Sequence, residues 1–251
     1  MLGLGLVLGA GLLTKGTVYL MAPVVALFLL VRYWGRWRDL VVAGLVVFVP
    51  ALLLGSFWWV RNAAVYGELD VLARETHNEV VVGQPRTEEW IAQYGLGETV
   101  RRFFTTTFHS FWGQFGWMAA PLPGWAYPPL LGLSLLGLVG LVVAFLRRLR
   151  SPRENAVPWL SIGVLAVTLL LAIGLLVGYN LTFVQHQGRY LFPALPVIAL
   201  GMAVGLETWL RPLIKRYAWA GYLIPLGLAL ILVPLSYYSL FRVIVPALSV
   251  P

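Results

Sequence analysis

The sequence predicts an all-α, polytopic transmembrane helical bundle, and three observations predict it. Hydrophobic residues make up 60% of the 251 positions and charged residues only 11%, about half the charge of an ordinary soluble domain. Mean hydropathy is +0.83. The apolar residues also stand in long blocks separated by short charged clusters, not in helical stripes or alternating strands. About 20 apolar residues at 1.5 Å rise are what a helix needs to cross hydrocarbon. A transmembrane β-barrel would instead show polar-alternating segments of about ten residues, which are absent.

The elements follow in order. Residues 1–14 form an apolar block that is short for a span, and Lys15 and Gly16 separate it from a second block over 17–31. One continuous helix would carry Lys15 near the bilayer centre, a costly position. Two shorter helices joined by a Lys15-Gly16 turn are therefore expected, the first too short to cross alone, as if the chain began inside a longer protein. Clearer spans are expected over about 40–60, 128–145, 159–179, 190–209 and 218–237. The whole reads as about seven membrane helices in a single transmembrane domain over 1–251.

Orientation follows from the basic clusters. Arg32, Arg36 and Arg38 form one; Arg147, Arg148, Arg150 and Arg153 a second; Arg211, Lys215 and Arg216 a third. With these spans all three fall on one side, which is assigned to the cytoplasm of a cell-membrane protein with a cytoplasmic N-terminus. The Lys15 turn, the 61–127 connection and the 180–189 connection then face outward. The long connection holds seven of the ten acidic residues, Glu68, Asp70, Glu75, Glu79, Glu88, Glu89 and Glu98. From Val100 its apolar positions Val100, Phe103, Phe104, Phe108 and Phe111 recur at three- and four-residue spacing. That pattern predicts an interfacial amphipathic helix over about 98–112. Trp112, Trp117, Trp125 and Tyr127 then read as headgroup-level anchors.

The formal charge of +8 does not indicate nucleic acid, because the basic residues sit at block ends and share no face. The absence of cysteine excludes disulfides, thiolate ligands and a cysteine nucleophile. No metalloprotease, P-loop or dinucleotide fingerprint is present, and no residue is assigned a catalytic role or a metal. Near outward-facing span ends stand Lys15, Arg61, His186 and Arg189, the candidates for binding a lipid phosphate. A guanidinium can offer a phosphate paired hydrogen bonds, while an ammonium acts as a point charge. Asn62, Glu68, Asp70, Gln187 and Tyr190 lie close by in sequence as candidate sugar or acceptor contacts. Each has a plainer reading: a snorkelling lysine, an interfacial arginine, a solvated carboxylate.

Four stretches carry a resemblance. They are Leu12-Leu13-Thr14-Lys15-Gly16, Trp59-Val60-Arg61-Asn62 followed by Tyr66-Gly67, Ser110-Phe111-Trp112-Gly113-Gln114-Phe115-Gly116-Trp117, and Gly188-Arg189-Tyr190-Leu191-Phe192-Pro193-Ala194-Leu195-Pro196. In this order they resemble the C-terminal half of GT-C type membrane glycosyltransferases, the group of protein O-mannosyltransferases and aminoarabinose transferases. The chain looks most similar to family-39-like and DUF2142-like relatives. The resemblance implies transfer of a sugar from a polyprenyl-phosphate sugar to an extracytoplasmic acceptor, within membrane lipid. Lys15, Arg61 and Arg189 would hold the carrier phosphate. The family's catalytic carboxylate lies in a first outer loop that has no counterpart in this sequence, so a partner protein or upstream segment is expected to supply that half. A divalent metal is left open as a cofactor. Two other classes stay open: a lipid or solute transporter or flippase, since Gly and Pro interrupt several spans, and a non-catalytic assembly subunit.

Overall fold

The computed structural model describes residues 1–67, 70–80, 83–150 and 158–249. It is a multi-pass helical membrane protein. Among the described residues five helices are long and apolar enough to span, Trp37–Tyr66, Gly124–Arg150, Trp159–Asn180, Gly188–Arg216 and Ala218–Leu248, with shorter apolar helices at Leu2–Leu12 and Gly16–Arg32. Most large apolar side chains on them are exposed, as a helix solvated by lipid requires. Backbone contacts divide the chain into two compact units, Met1–Trp90 with Pro158–Val184, and Ile91–Val157 with Gln185–Pro251.

The first unit is built on α1 (Leu2–Leu12), α2 (Met21–Arg32), α3 (Trp37–Tyr66), α4 (Arg74–Val80) and the first half of α5 (Thr87–Tyr94). Helices α1 and α3 run parallel. Gly5 lies against Val47 and Pro50, Gly9 against Ala51 and Leu54, and Leu12 against Gly55. Small residues at four-residue spacing let the two backbones approach, the usual way helices associate where lipid removes any hydrophobic drive. The Thr14 hydroxyl donates to the Gly11 carbonyl at 2.7 Å, Lys15 turns extended, and a 3-10 turn over Gly16–Leu20 starts α2. The chain thus breaks at Lys15 as its charge demands. Leu29 of α2 is buried with Ala43 and Val47.

Helix α3 departs from expectation. It does not end at residue 60 but continues to Tyr66, stopped by Gly67 at φ +108°. Ala63 and Ala64 favour helix, so polar Arg61 and Asn62 are carried in its last two turns. Helix α8 is Trp159–Asn180. Its C-terminal end is tied to the approach to α5. Thr87 Oγ1 donates to the Asn180 carbonyl at 2.8 Å, Arg86 bridges Phe183, and Phe183 is buried.

The second unit contains α6 (Leu96–Gly113), a two-stranded hairpin of β1 (Gln114–Phe115) and β2 (Ala120–Pro121), then α7 (Tyr127–Arg150), α9 (Leu195–Arg216), α10 (Leu223–Tyr238) and α11 (Val245–Leu248). Helix α6 encloses the expected 98–112. Its apolar positions divide between two sides. Leu96, Val100 and Phe104 are exposed, whereas Phe103 meets His186 and Phe111 meets Phe192 edge-on. Phe108 and Trp112 pack on the buried cluster of Leu122, Ala126, Tyr127 and Leu130. Tyr127 is accordingly no anchor: it is buried, stacked on His109 at 3.7 Å, with its hydroxyl donating to the Gly113 carbonyl. A phenol needs such a partner when buried. Helices α7 and α9 both start beside the C-terminal half of α6 and descend in parallel. A Cβ at Gly140 or Gly205 would strike the opposing backbone carbonyl at 2.0 or 1.9 Å.

Candidate functional site

In the first unit the site is built at the end shared by α1 and α3. Lys15 caps the 3-10 turn whose Tyr19 hydroxyl accepts the Trp59 indole N–H at 2.6 Å. That bond fastens the Lys15 turn to the last turns of α3. Two residues on, the exposed Arg61 guanidinium lies 5.3 Å from the Trp58 ring centroid and 5.1 Å from that of Tyr66. It donates to Asn62 Oδ1 at 3.0 Å. Asn62 is fully buried, and its amide donates to the Val71 carbonyl at 3.0 Å, so it holds both the arginine and the following segment. Asp70 is nearly buried, with its two carboxylate oxygens accepting the backbone N–H groups of Glu75 and Thr76. That geometry caps the start of α4. Glu68 lies outside the described residues, as does Arg153 of the second basic cluster.

In the second unit Arg189 is delivered by docking of its neighbour. The Gly188 N–H donates to Ser110 Oγ at 2.7 Å, and the Ser110 hydroxyl donates to the Thr106 carbonyl at 2.6 Å. Gly188 lies flush on α6: a Cβ there would stand 2.4 Å from the Thr107 carbonyl oxygen and 2.5 Å from the Phe111 nitrogen. Only glycine allows so close a backbone approach. His186 and Gln187 are buried, and Gln187 donates to the Gln185 side-chain oxygen at 2.5 Å. Tyr190 follows, its N–H on the Gln187 carbonyl. Burial, helped by the positive charge of Arg102, pushes the His186 imidazole below its ordinary range, which favours the neutral ring. Arg189 itself is exposed, with its guanidinium 5.0 Å from the Trp117 ring centroid.

Among the described residues a few basic groups pair with carboxylates. Glu98 binds Arg101 and Arg102 at 2.7 and 2.6 Å, and hydrogen bonds from both arginines, opposed by some desolvation, lower its carboxyl to about 2. Arg36 pairs with Asp39 at 3.6 Å. Lys15, Arg61 and Arg189 have no such carboxylate among the described residues. Lys15 and Arg61 share one helix-pair end in the first unit; Arg189, His186, Gln187 and Tyr190 belong to the second. Among the described residues no three His, Asp or Glu side chains gather into a group able to hold a metal ion. Sequence reasoning misses Tyr19, and it quotes Ser110 within the 110–117 stretch without the role of positioning a cation. Neither carries a signal in spacing, because both act across more than 35 residues of chain.

Two curated proteins are similar to almost all of the chain. The undecaprenyl phosphate-alpha-4-amino-4-deoxy-L-arabinose arabinosyl transferase of Pseudomonas aeruginosa is 30% identical over 243 residues, covering 94% of this chain and 36% of the relative. The protein of the same name from Pseudomonas paraeruginosa is 28% identical over 242 residues, with the same coverage of each. The chain therefore spans about a third of the length of the curated relatives it matches. No family model matches the sequence, and no solved structure matches it.

Proposed function

We propose that this chain is the carrier-binding part of a membrane glycosyltransferase, holding a polyprenyl-phosphate sugar while the sugar passes to an extracytoplasmic acceptor. The observation that carries the reading is that Lys15 and Arg61 stand at one helix-pair end and Arg189 on a docked turn, each without a carboxylate partner among the described residues, while Arg36 pairs with Asp39 and Arg101 and Arg102 share Glu98. The likeness to transferases named for an undecaprenyl phosphate donor supports it. An unneutralised cation at a helix end costs little at the headgroup level and is free to take a phosphate.

In the reaction, an acceptor oxygen or nitrogen bonds to the anomeric carbon as the bond from that carbon to the phosphate oxygen breaks. The electron pair leaves with the polyprenyl phosphate, and the acceptor's proton passes to a base that no residue of this chain is assigned to be. Cations fixed before the reaction stabilise charge on the departing phosphate at no cost of reorganisation. Arg61, held by Asn62 between aromatic rings, and Lys15, on a turn anchored through Tyr19, are the phosphate donors that the first unit would offer, and Arg189 is the one that the second would offer. Asn62, being buried, would act by holding Arg61 in place, and the His186 ring is buried against Phe103. Gln187 and Tyr190 would flank the sugar, and the loop from 61 to 127 would lie on the extracytoplasmic side. The test is binding of a polyprenyl phosphate to the purified chain in nanodiscs. Arg61→Ala and Arg189→Ala should each weaken it about tenfold or more, the worth of a charge-assisted hydrogen bond. Binding unchanged in both variants would remove the phosphate site.

A further inference from the structure

The hairpin after α6 holds its backbone in a conformation that its residues disfavour. Gly116, Trp117 and Met118 are left-handed in succession, at φ +55°, +54° and +75°. Two consecutive non-glycine residues there are uncommon, and a bulky tryptophan is an outlier. Such strain persists only where the surroundings over-determine it, and it gathers at functional positions. Here the surroundings are the register Gln114↔Pro121 and Phe115↔Ala120, the Gln114 amide donating to the Met118 carbonyl at 3.0 Å, and the Ala119 N–H on the Gly116 carbonyl. The strain gains no core packing, because Trp117 is 80% exposed. What it achieves is to set the indole beside the Arg189 guanidinium, 72 residues along the chain. Arg189 is fixed in turn by Gly188 seated on Thr107 and Phe111.

We propose that Trp117 and Arg189 form a two-part clamp for a glycosyl phosphate, the guanidinium taking the phosphate and the open indole face taking the sugar ring. This rests on the reading of Arg189 as a phosphate holder. The chemistry suits the pairing: a pyranose presents a face of C–H groups polarised by its oxygens, and an indole face is negative in its quadrupole. The guanidinium, being planar, can lie against the ring and still give two N–H groups to a phosphate. A residue that merely anchors the chain at headgroup level would have no need of a fixed guanidinium neighbour or of a strained backbone. Trp117 is thereby a specificity residue for the sugar, with no part in holding the lipid.

The experiment compares two probes on the full chain in zwitterionic nanodiscs, a polyprenyl phosphate and the same lipid phosphate bearing one pyranose. Trp117→Asn is the test variant, because asparagine tolerates the left-handed backbone, and Trp117→Tyr keeps a ring. The clamp predicts that W117N weakens the sugar-bearing probe about tenfold, leaves the sugarless probe unchanged, and that W117Y restores most of the loss. Equal loss for both probes, or no loss for either, overturns the clamp. Binding of both probes that is lost in R189A yet unaffected in W117N overturns the clamp while keeping Arg189 as a phosphate holder. If the unaltered chain binds neither probe, both readings fall.

Discussion

Two glycines stand next to candidate phosphate-binding cations, and they do opposite things. Gly16, beside Lys15, has nothing within 4 Å of where a Cβ would be; Gly188, beside Arg189, is pressed on the backbone of α6. The first marks a local break in a helix, the second a tertiary contact. The same difference runs through the cations. Arg61 draws its aromatic partners from its own helix, Trp58 and Tyr66, whereas Arg189 meets Trp117 across a hairpin and a docked turn. The first unit surrounds Arg61 from its own helix, though it fastens the Lys15 turn through the Tyr19–Trp59 bond, and the second assembles the surroundings of Arg189 from distant chain. A locally built site should tolerate small changes that an assembled one does not.

The largest expected effect breaks that comparison directly. Gly188→Ala should destabilise the chain by about 3 kcal/mol, since neither the Thr107 carbonyl nor the Phe111 nitrogen can yield cheaply. Gly16→Ala should stay within about 0.5 kcal/mol. Unfolding midpoints in detergent compare the two, and equal effects would contradict the distinction. Next come the hydrogen bonds that fasten each cation's turn. Ser110→Ala strands the Gly188 N–H against α6 and should cost about 2 kcal/mol, while Tyr19→Phe strands only a half-buried indole N–H and should cost about 1 kcal/mol. A Tyr19 effect exceeding that of Ser110 would make the Lys15 turn the more tertiary of the two.

The smallest effect is one of pH. The buried His186 has its folded value below the ordinary 6.5, so under acid the unfolded chain binds more protons than the folded one. Stability from the neutral ring is complete above about 6.5 and is lost as pH falls toward the folded value. His109, lowered by burial alone, adds to the same slope. His186→Asn should flatten part of the decline in unfolding midpoint between pH 7 and 5. A slope unchanged by the substitution would show that the ring does not titrate against folding.

Much of this is legible in the sequence. Each of the five clearer spans is present as a long apolar helix, because a backbone in hydrocarbon must satisfy its own hydrogen bonds and long apolar blocks leave it one way to do so. The break at Lys15 was readable for the same reason. Hydropathy places the end of α3 six residues early, since it falls at Arg61 while helix propensity does not. Helix α6 was legible as periodicity, but not the division of its phenylalanines between exposed Phe104 and docked Phe103, Phe108 and Phe111. Periodicity counts apolar positions without saying what covers each.

The chain alone determined that it is a set of membrane helices broken at charges, and which basic side chains stand at their ends. Hydrophobic length and the cost of charge in lipid act on each segment independently, so composition and order suffice. Only the tertiary structure decided that Gly188 docks on α6, that Ser110 and Tyr19 fasten the two cationic turns, and that Trp117 meets Arg189. Those are contacts between residues dozens of positions apart, set by how close two backbones can come, and that distance is written in no single segment.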